Sequence, residues 1–374
     1  MKKLRIMTVV GTRPEAIKLA PVLQLLSRHE AFESILIATA QHREMLDQVL
    51  ALFDLLPQHD LGLMKSDQTL ADLSAAIFTH LDPLLVRYQP DWLLAQGDTT
   101  TVMVSAVSAY YRHVRFGHVE AGLRTGDKWQ PFPEEINRRV AGVCADLHFA
   151  PTQTARQNLL NEGVSANLIH VTGNTIIDAL NQIKDMPMPA EVEQLLCEQG
   201  ILDGERNLIV VTAHRRESFG EPIRQICTAL KEIANEYSGR VSVIYPVHLN
   251  PHIQEPVHEL LDGIANIHLL PPQSYLPLVH LLKHAKLILT DSGGIQEEAT
   301  GLGVPCLVLR EMTERPEGVQ AGVLKLVGTD RQRIVTETRR LLEDEDEYRR
   351  MAQAANPYGD GHAAEKILQA LLAA

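Results

Sequence analysis

The chain has 374 residues, room for two domains of ordinary size, and its 45% apolar and 22% charged content is that of a soluble globular protein. Its net charge of −12, from 35 Lys+Arg against 47 Asp+Glu, excludes a nucleic-acid partner, because phosphate-backbone binding needs a basic face. Cys144, Cys197, Cys227 and Cys306 are scattered without CxxC spacing, which excludes the common zinc patterns and suggests a reducing compartment. No apolar run approaches the ~18 residues of a membrane span, and the N-terminus enters a strand with no signal-peptide pattern, so a soluble protein without a membrane partner is expected.

Short apolar runs rich in Val, Ile and Leu alternate with helical stretches, the pattern of buried parallel strands in α/β sheets. In chain order the first strands are Ile6–Val10, Ser34–Ala38, Trp92–Ala95, Arg115–Val119, Leu147–Ala150 and His170–Thr172. A second series runs Leu208–Thr212, Val241–Tyr245, Ile267–Leu269, Leu287–Thr290, Cys306–Leu309 and Leu324–Val327. Two such series predict two Rossmann-like, doubly wound domains with a cleft between them. The boundary is placed at residues 172/173, and His362–Leu372 has the periodicity of a C-terminal helix.

Two strand-to-helix turns look built for an anion. Gly11-Thr12-Arg13-Pro14-Glu15 follows the first strand. Thr12 and Glu15 have capping-box spacing, Pro14 suits a first helical turn, and Arg13 and Lys18 add positive charge beside a helix N-terminus. The turn lacks GxGxxG, which argues against NAD. Asp291-Ser292-Gly293-Gly294 follows the strand ending at Thr290. There the glycines are expected to let the backbone turn tightly beside a phosphate at the helix start, with Glu297 and Glu298 in the first turn as acceptors for sugar hydroxyls.

Ligands in open α/β sheets collect at the carboxyl ends of strands. That rule singles out Asp98, Glu120, Glu134 with Glu135, and His214 with Arg215 and Arg216. Each also has a structural reading. Asp98 could cap a helix beginning at Thr99, Glu120 could pair with Arg124 or Arg139, His214 could be a core-edge histidine, and Arg138-Arg139 could be an ion-paired or solvated helix face.

Taken together, Gly11-Thr12-Arg13-Pro14-Glu15, Gln41-His42-Arg43-Glu44-Met45-Leu46, Gly97-Asp98-Thr99-Thr100, His118-Val119-Glu120-Ala121-Gly122-Leu123-Arg124-Thr125, Pro133-Glu134-Glu135, Gly173-Asn174-Thr175, His214-Arg215-Arg216-Glu217, Asp291-Ser292-Gly293-Gly294, Gln296-Glu297-Glu298 and Thr313-Glu314-Arg315-Pro316-Glu317 resemble the bacterial non-hydrolysing UDP-N-acetylglucosamine 2-epimerase family, in order and over almost the whole chain. The resemblance implies a GT-B fold whose C-terminal helix, at about 357–374, returns to the first domain, and cytoplasmic interconversion of UDP-GlcNAc and UDP-ManNAc, supplying ManNAc units for surface polysaccharide. It implies elimination of UDP to 2-acetamidoglucal followed by re-addition, with no cofactor and no metal, in a homodimer. By motif, Asp98, Glu120, Glu134 and His214 are the catalytic candidates. Arg13, Lys18, Asp98, Glu120, His214, Gln273, Leu278, Ser292, Gly293, Gly294, Glu298 and Arg315 are the substrate-binding candidates. Gln41, Glu44, Gln68, Glu134, Arg215 and His248 match a second, activating UDP-GlcNAc site.

Three departures stand out. Leu278 occupies a position that is aromatic in some relatives, which leaves uracil stacking open. Asp67 lies where some relatives carry an arginine beside the glutamine matching Gln68, which should weaken effector binding. Gln96 and Ser218 replace a His and an Asn and are read as neutral variation. The alternatives are a GT-B glycosyltransferase, a hydrolysing 2-epimerase, and a catalytically silent nucleotide-sugar sensor.

Overall fold

The computed structural model describes residues 3–39, 43–63 and 68–374, with the side chains of residues 43 and 44 left undescribed. It divides into two compact units: Met1–Ala179 with Tyr358–Ala374, and Leu180–Pro357.

The first unit runs β1 (Leu4–Val10), α1 (Arg13–Arg28), β2 (Phe32–Ala38), α2 (Arg43–Leu52), β3 (His59–Asp60), α3 (Leu70–Tyr88), β4 (Trp92–Gln96), α4 (Thr100–Tyr111), β5 (Arg115–Val119), α5 (Glu134–Cys144), β6 (Leu147–Ala150), α6 (Gln153–Asn161), β7 (Ile169–Val171) and α7 (Thr175–Ile183). Among the described residues its sheet has the order β3-β2-β1-β4-β5-β6-β7, parallel throughout. The second unit runs α8 (Ala190–Glu198), β8 (Asn207–Thr212), α9 (Glu221–Glu236), β9 (Val241–Pro246), α10 (Pro251–Leu261), β10 (Ile267–Leu270), α11 (Tyr275–Lys283), β11 (Ala285–Thr290), α12 (Gly293–Leu302), β12 (Cys306–Val308), α13 (Pro316–Ala321), β13 (Leu324–Leu326), α14 (Arg331–Glu343) and α15 (Glu345–Ala352). Its parallel sheet has the order β10-β9-β8-β11-β12-β13. A last helix, α16 (Ala363–Ala373), packs on α1 of the first unit.

Both units are therefore Rossmann-like and doubly wound, as the alternating pattern predicts. Every predicted strand is present. The sequence reading misses β3, whose two residues His59 and Asp60 form a polar edge strand with no apolar run to mark it. Strand periodicity builds the core of the second unit directly. Ile209, Val211, Leu287, Leu289 and Leu307 face one layer of helices, while Leu208, Val210, Ile288, Cys306 and Val308 face the other. Helix α9 buries Ile223, Ile226, Cys227, Leu230, Ile233 and Ala234, a three-four spacing that makes one apolar stripe. Truncating Leu230, fully buried there, to Ala would cost about 2–5 kcal/mol.

Residues 173–178 go with the first unit for identifiable reasons. The Asn174 amide N–H donates to the Tyr358 carbonyl at 2.7 Å. The Asp178 carboxylate caps α16 by accepting from the N–H groups of Ala363 and Ala364 at 3.2 and 2.8 Å. Strand order reverses between β1 and β4 in one unit and between β8 and β11 in the other. Those switch points open the crevices where α/β sheets take ligands.

Candidate active site

At the first switch point the β1–α1 turn is held by its own helix. Glu15 reaches back so that its Oε2 accepts from the N–H of Thr12 at 3.0 Å and from that of Gly11. The expected capping box is present. Gly11 has no room for a side chain, because a Cβ there would collide with Thr101 and Thr39. The other oxygen of Glu15 accepts from the Thr99 hydroxyl at 2.6 Å, which ties the β4–α4 turn to the β1–α1 turn. Glu15 is only 2% exposed. Burial pushes its carboxyl up to about 7 against these hydrogen bonds, and the charge of nearby Asp98 adds to the rise.

The Thr99 hydroxyl accepts from the Val102 N–H, and Thr99 is the N-cap of α4. The capping role considered for Asp98 therefore belongs to its neighbour. Asp98 Oδ2 instead accepts from Arg138 Nη2 at 2.5 Å, and the Asp98 side chain keeps 29% exposure. Arg138 is buried, so the solvated or merely ion-paired face considered for Arg138-Arg139 is correct only for exposed Arg139, which pairs with Glu135 at 3.0 Å. Glu135 is fully buried and also accepts from the Thr125 N–H, which makes it a scaffold residue. Its neighbour Glu134 is half-buried as the first residue of α5. Glu134 and Arg138 are four residues apart and so share a helix face.

Glu120 follows β5 with φ of +64°, a left-handed conformation that is strained for a residue carrying a Cβ. Its Oε1 accepts from Lys18 Nζ at 2.6 Å and from Asn174 Nδ2 at 3.0 Å, and its Oε2 accepts from the Gln96 amide. The pairing considered with Arg124 or Arg139 does not form, since Arg124 binds Glu162 at 2.7 Å. Lys18, expected at the substrate, spends its ammonium on Glu120 in this conformation. Arg13 lies half-buried at the start of α1. His118, fully buried, hydrogen-bonds the Gly97 carbonyl through Nε2 at 2.7 Å, and burial holds it neutral with its value lowered to about 3.

At the second switch point, β8 and β11 are joined by the Thr212 and Thr290 hydroxyls at 2.6 Å. His214 lies two residues beyond β8, its ring stacked on His248 at 5.4 Å between centroids. Its Nδ1 is 3.5 Å from Asp291 Oδ1, so it is more than a core-edge histidine. Burial lowers its value, Asp291 opposes that, and Arg215 and His248 reinforce it. Arg215 is half-buried and His248 exposed.

Ser292 caps α12, and Gly293 and Gly294 form its first turn, where their N–H groups are not committed to helix bonds. The glycines do not serve the tight turn expected of them, for neither has a positive φ. A Cβ on Gly293 would strike the Arg315 guanidinium, whereas one on Gly294 would meet open space. Arg315 Nε donates to Glu297 Oε1 at 2.8 Å, with Glu314 3.6 Å from its Nη1. Glu297 and Glu298 are buried in the second turn of α12, not the first, because the helix starts at Gly293. Gln273 donates its amide to the Pro271 carbonyl at 2.7 Å, and Leu278 packs partly buried against the apolar core.

Of the second-site candidates, Gln68 is half-buried and its Oε1 meets no donor among the described residues. Gln41, Asp67 and the side chain of Glu44 lie outside the described residues.

Glu15, Arg138, Asn174 and Asp291 stand in quoted motifs or on a helix face in the sequence, but nothing there gives them a part in the site. Glu15 shows locally only its capping-box spacing, and Arg138 its four-residue spacing from Glu134. Gln96 and Ser218, read as neutral, each donate to a buried carboxylate of the site, Glu120 and Asp291 respectively.

The sequence model of the UDP-N-acetylglucosamine 2-epimerase family matches residues 24–372. A UDP-N-acetylglucosamine 2-epimerase of Escherichia coli O157:H7 is 51% identical over 370 residues, covering 98% of each chain. That of Bacillus subtilis strain 168 is 48% identical over 373 residues, covering 100% of this chain and 96% of its own. The crystal structure of the Neisseria meningitidis UDP-GlcNAc 2-epimerase bound to UDP-GlcNAc superposes with a TM-score of 0.93 at 44% identity, over 99% of this chain and 100% of that one. The Methanocaldococcus jannaschii enzyme in complex with UDP-GlcNAc and UDP gives 0.85 at 31% identity, over 99% and 100%. With strand ends, glycine turn and carboxylates in place, this chain belongs to the UDP-N-acetylglucosamine 2-epimerase family.

Proposed function

We propose that the protein interconverts UDP-GlcNAc and UDP-ManNAc by inverting C2 of the sugar without net hydrolysis, in the cytoplasm and as a homodimer, supplying ManNAc units for surface polysaccharide. The observation that carries this reading is the pair Asp98 and Glu134. Both are partly exposed carboxylates near the first switch point, and Asp98 is held by Arg138 from the helix that Glu134 begins.

The C2 proton of the sugar is not acidic enough to remove directly. In the first step the C1–O bond to the diphosphate breaks and its electron pair leaves with UDP. The C2 proton passes to a carboxylate, and the C1–C2 double bond of 2-acetamidoglucal forms. In the second step a proton is delivered to the opposite face of C2 while the diphosphate oxygen bonds C1. Two proton carriers are needed, one for each face, and Asp98 and Glu134 supply them. Glu120, gripped by three donors, must release at least one of them before taking part directly. In the second unit, the free N–H groups at the start of α12, with Ser292, Arg315 and His214, hold the leaving diphosphate. Intact acid–base candidates favour epimerisation over a sensor, and the carboxylates beyond the phosphate turn favour it over glycosyl transfer.

The test is incubation with UDP-GlcNAc in D2O followed by NMR of the anomeric and C2 protons. UDP-ManNAc carrying deuterium at C2 is expected. Epimerised product retaining protium at C2 overturns elimination and re-addition, and release of free ManNAc with UDP favours the hydrolysing alternative. Activation by UDP-GlcNAc belongs to the same proposal, through Gln41, Glu44, Gln68, Glu134, Arg215 and His248. A reaction started from pure UDP-ManNAc should show a lag that a trace of UDP-GlcNAc abolishes, and an immediate linear rate removes the second site.

A further inference from the structure

Asp291 is fully buried just beyond the end of β11. A carboxylate in such a place is costly unless donors surround it. One of its oxygens is well served. Oδ2 accepts from the backbone N–H of His214 and of Arg215, each at 2.7 Å, and from the Ser218 hydroxyl at 3.2 Å. The other oxygen, Oδ1, meets no donor in hydrogen-bonding geometry among the described residues, and His214 Nδ1 stands 3.5 Å away. The ring is flanked by the near-parallel imidazole of His248, at an interplanar angle of 12°.

We propose that Asp291 is the positioning residue of His214: its Oδ1 fixes the ring's direction and keeps the proton on Nδ1, so that Nε2 is the atom that meets the diphosphate. This rests on the reading of His214 as a diphosphate-side group. The neutral ring with hydrogen on Nδ1 presents a lone pair at Nε2, and a second proton turns Nε2 into a donor toward an anion. Among the described residues, three charged or titratable groups face the ring: Arg215 on its own loop and His248 on the β9–α10 loop oppose a second proton, and Asp291 favours it. One buried carboxylate thus holds the loop backbone through Oδ2 and sets the ring's protonation through Oδ1, and Ser218 supports it by donating to the first oxygen.

The experiment uses full-length protein labelled with 13C and 15N at histidine, with His214 assigned by comparison with H214Q. In the wild type, the neutral His214 ring should carry its hydrogen on Nδ1. In Asp291→Asn the amide oxygen can still accept both backbone N–H bonds, so the loop is kept while the charge is lost. The His214 midpoint should then fall by about one pH unit or more. UDP affinity measured across pH should shift acidward in D291N relative to the wild type. H214Q, which carries the titration of UDP itself, is the reference, and D291N/H214Q should bind UDP as H214Q does. An Nε2–H tautomer in the wild type, an unshifted midpoint in D291N, or additive losses in the double variant overturns the proposal. If D291N does not fold, the wild-type tautomer decides alone. Failure of wild-type protein to bind UDP would overturn the placement of the diphosphate and leaves the NMR result readable by itself.

Discussion

The two switch points share one topology and solve opposite electrostatic problems. At β1/β4 the anions Glu120 and Asp98 are answered by whole cations, Lys18 and Arg138, brought from helices far away in sequence. At β8/β11 the buried anion Asp291 is answered by backbone N–H groups and a hydroxyl, while the cation at the glycine turn, Arg315, is held in place by Glu297. In the proposed function the first arrangement supplies carboxylates for proton transfer and the second supplies N–H groups and a guanidinium for the diphosphate, so one fold would carry two chemistries, decided by which residues stand at equivalent strand ends.

The largest effect should come from Asp98→Asn. If the first switch point performs proton transfer, turnover falls by ~10²–10⁴-fold while UDP affinity measured by calorimetry stays within about twofold. The substituted amide oxygen can still accept from Arg138, so melting should move little. Near-normal turnover with a lowered melting temperature would reduce Asp98 to a structural role and erase the contrast between the two regions. The same measurements on E120Q should show both a rate loss and a stability loss, because Lys18 would be left buried opposite a neutral amide.

Arg315→Ala should act on the other side of the comparison. It leaves Glu297, 1% exposed, without its guanidinium, and stability should drop by about 3–5 kcal/mol. UDP affinity should fall by roughly tenfold or more, the loss of a charged anchor. Unchanged UDP affinity would show that the diphosphate is held elsewhere.

Glu15→Gln sharpens the contrast through pH. The folded carboxyl titrates at about 7 against an ordinary value of 4.5. Its favourable contribution is therefore complete below pH 4.5 and is lost as pH rises through 7. Relative to the variant, the wild type should lose up to ~3 kcal/mol between about pH 5 and pH 8. Melting curves of both proteins across that range check it, and a gap that does not change with pH would mean Glu15 titrates normally. Ser292→Ala should have the smallest effect. The side chain makes no capping bond, so stability should change by about 0.5 kcal/mol or less, with a several-fold loss of UDP affinity as its only clear mark.

Much of the fold was legible because buried parallel strands are continuous apolar runs. Arg115–Val119 and Leu147–Ala150 end where the sequence pattern says they end, whereas β3, short and polar, carries no such mark. The site candidates were legible as residues at strand ends, but their partners were not. Asp98 and Thr99 are both good caps by type, and the choice between them was made by Arg138, which no local rule connects to Asp98. Gly293 looked like a turn residue, yet its constraint is Arg315 from beyond the next strand. Gln96 and Ser218 looked neutral because their meaning lies in Glu120 and Asp291. Periodicity is local and readable, while the pairing of buried charges depends on which strands become neighbours.

The cap that Asp178 places on α16 has a consequence for how the protein is made. The ribosome releases β1 to α7 first, then the whole of Leu180–Pro357, and only then the residues whose N–H groups Asp178 accepts from. At ~5–20 residues per second that interval is on the order of ten seconds or more. Throughout it Asp178 has no α16 to cap and the face of α1 that receives α16 stays uncovered, while the second unit has its full sequence available as soon as Pro357 emerges. The first unit to begin is thus the last to be completed, and a chain that stops before Ala363 leaves it without its closing helix.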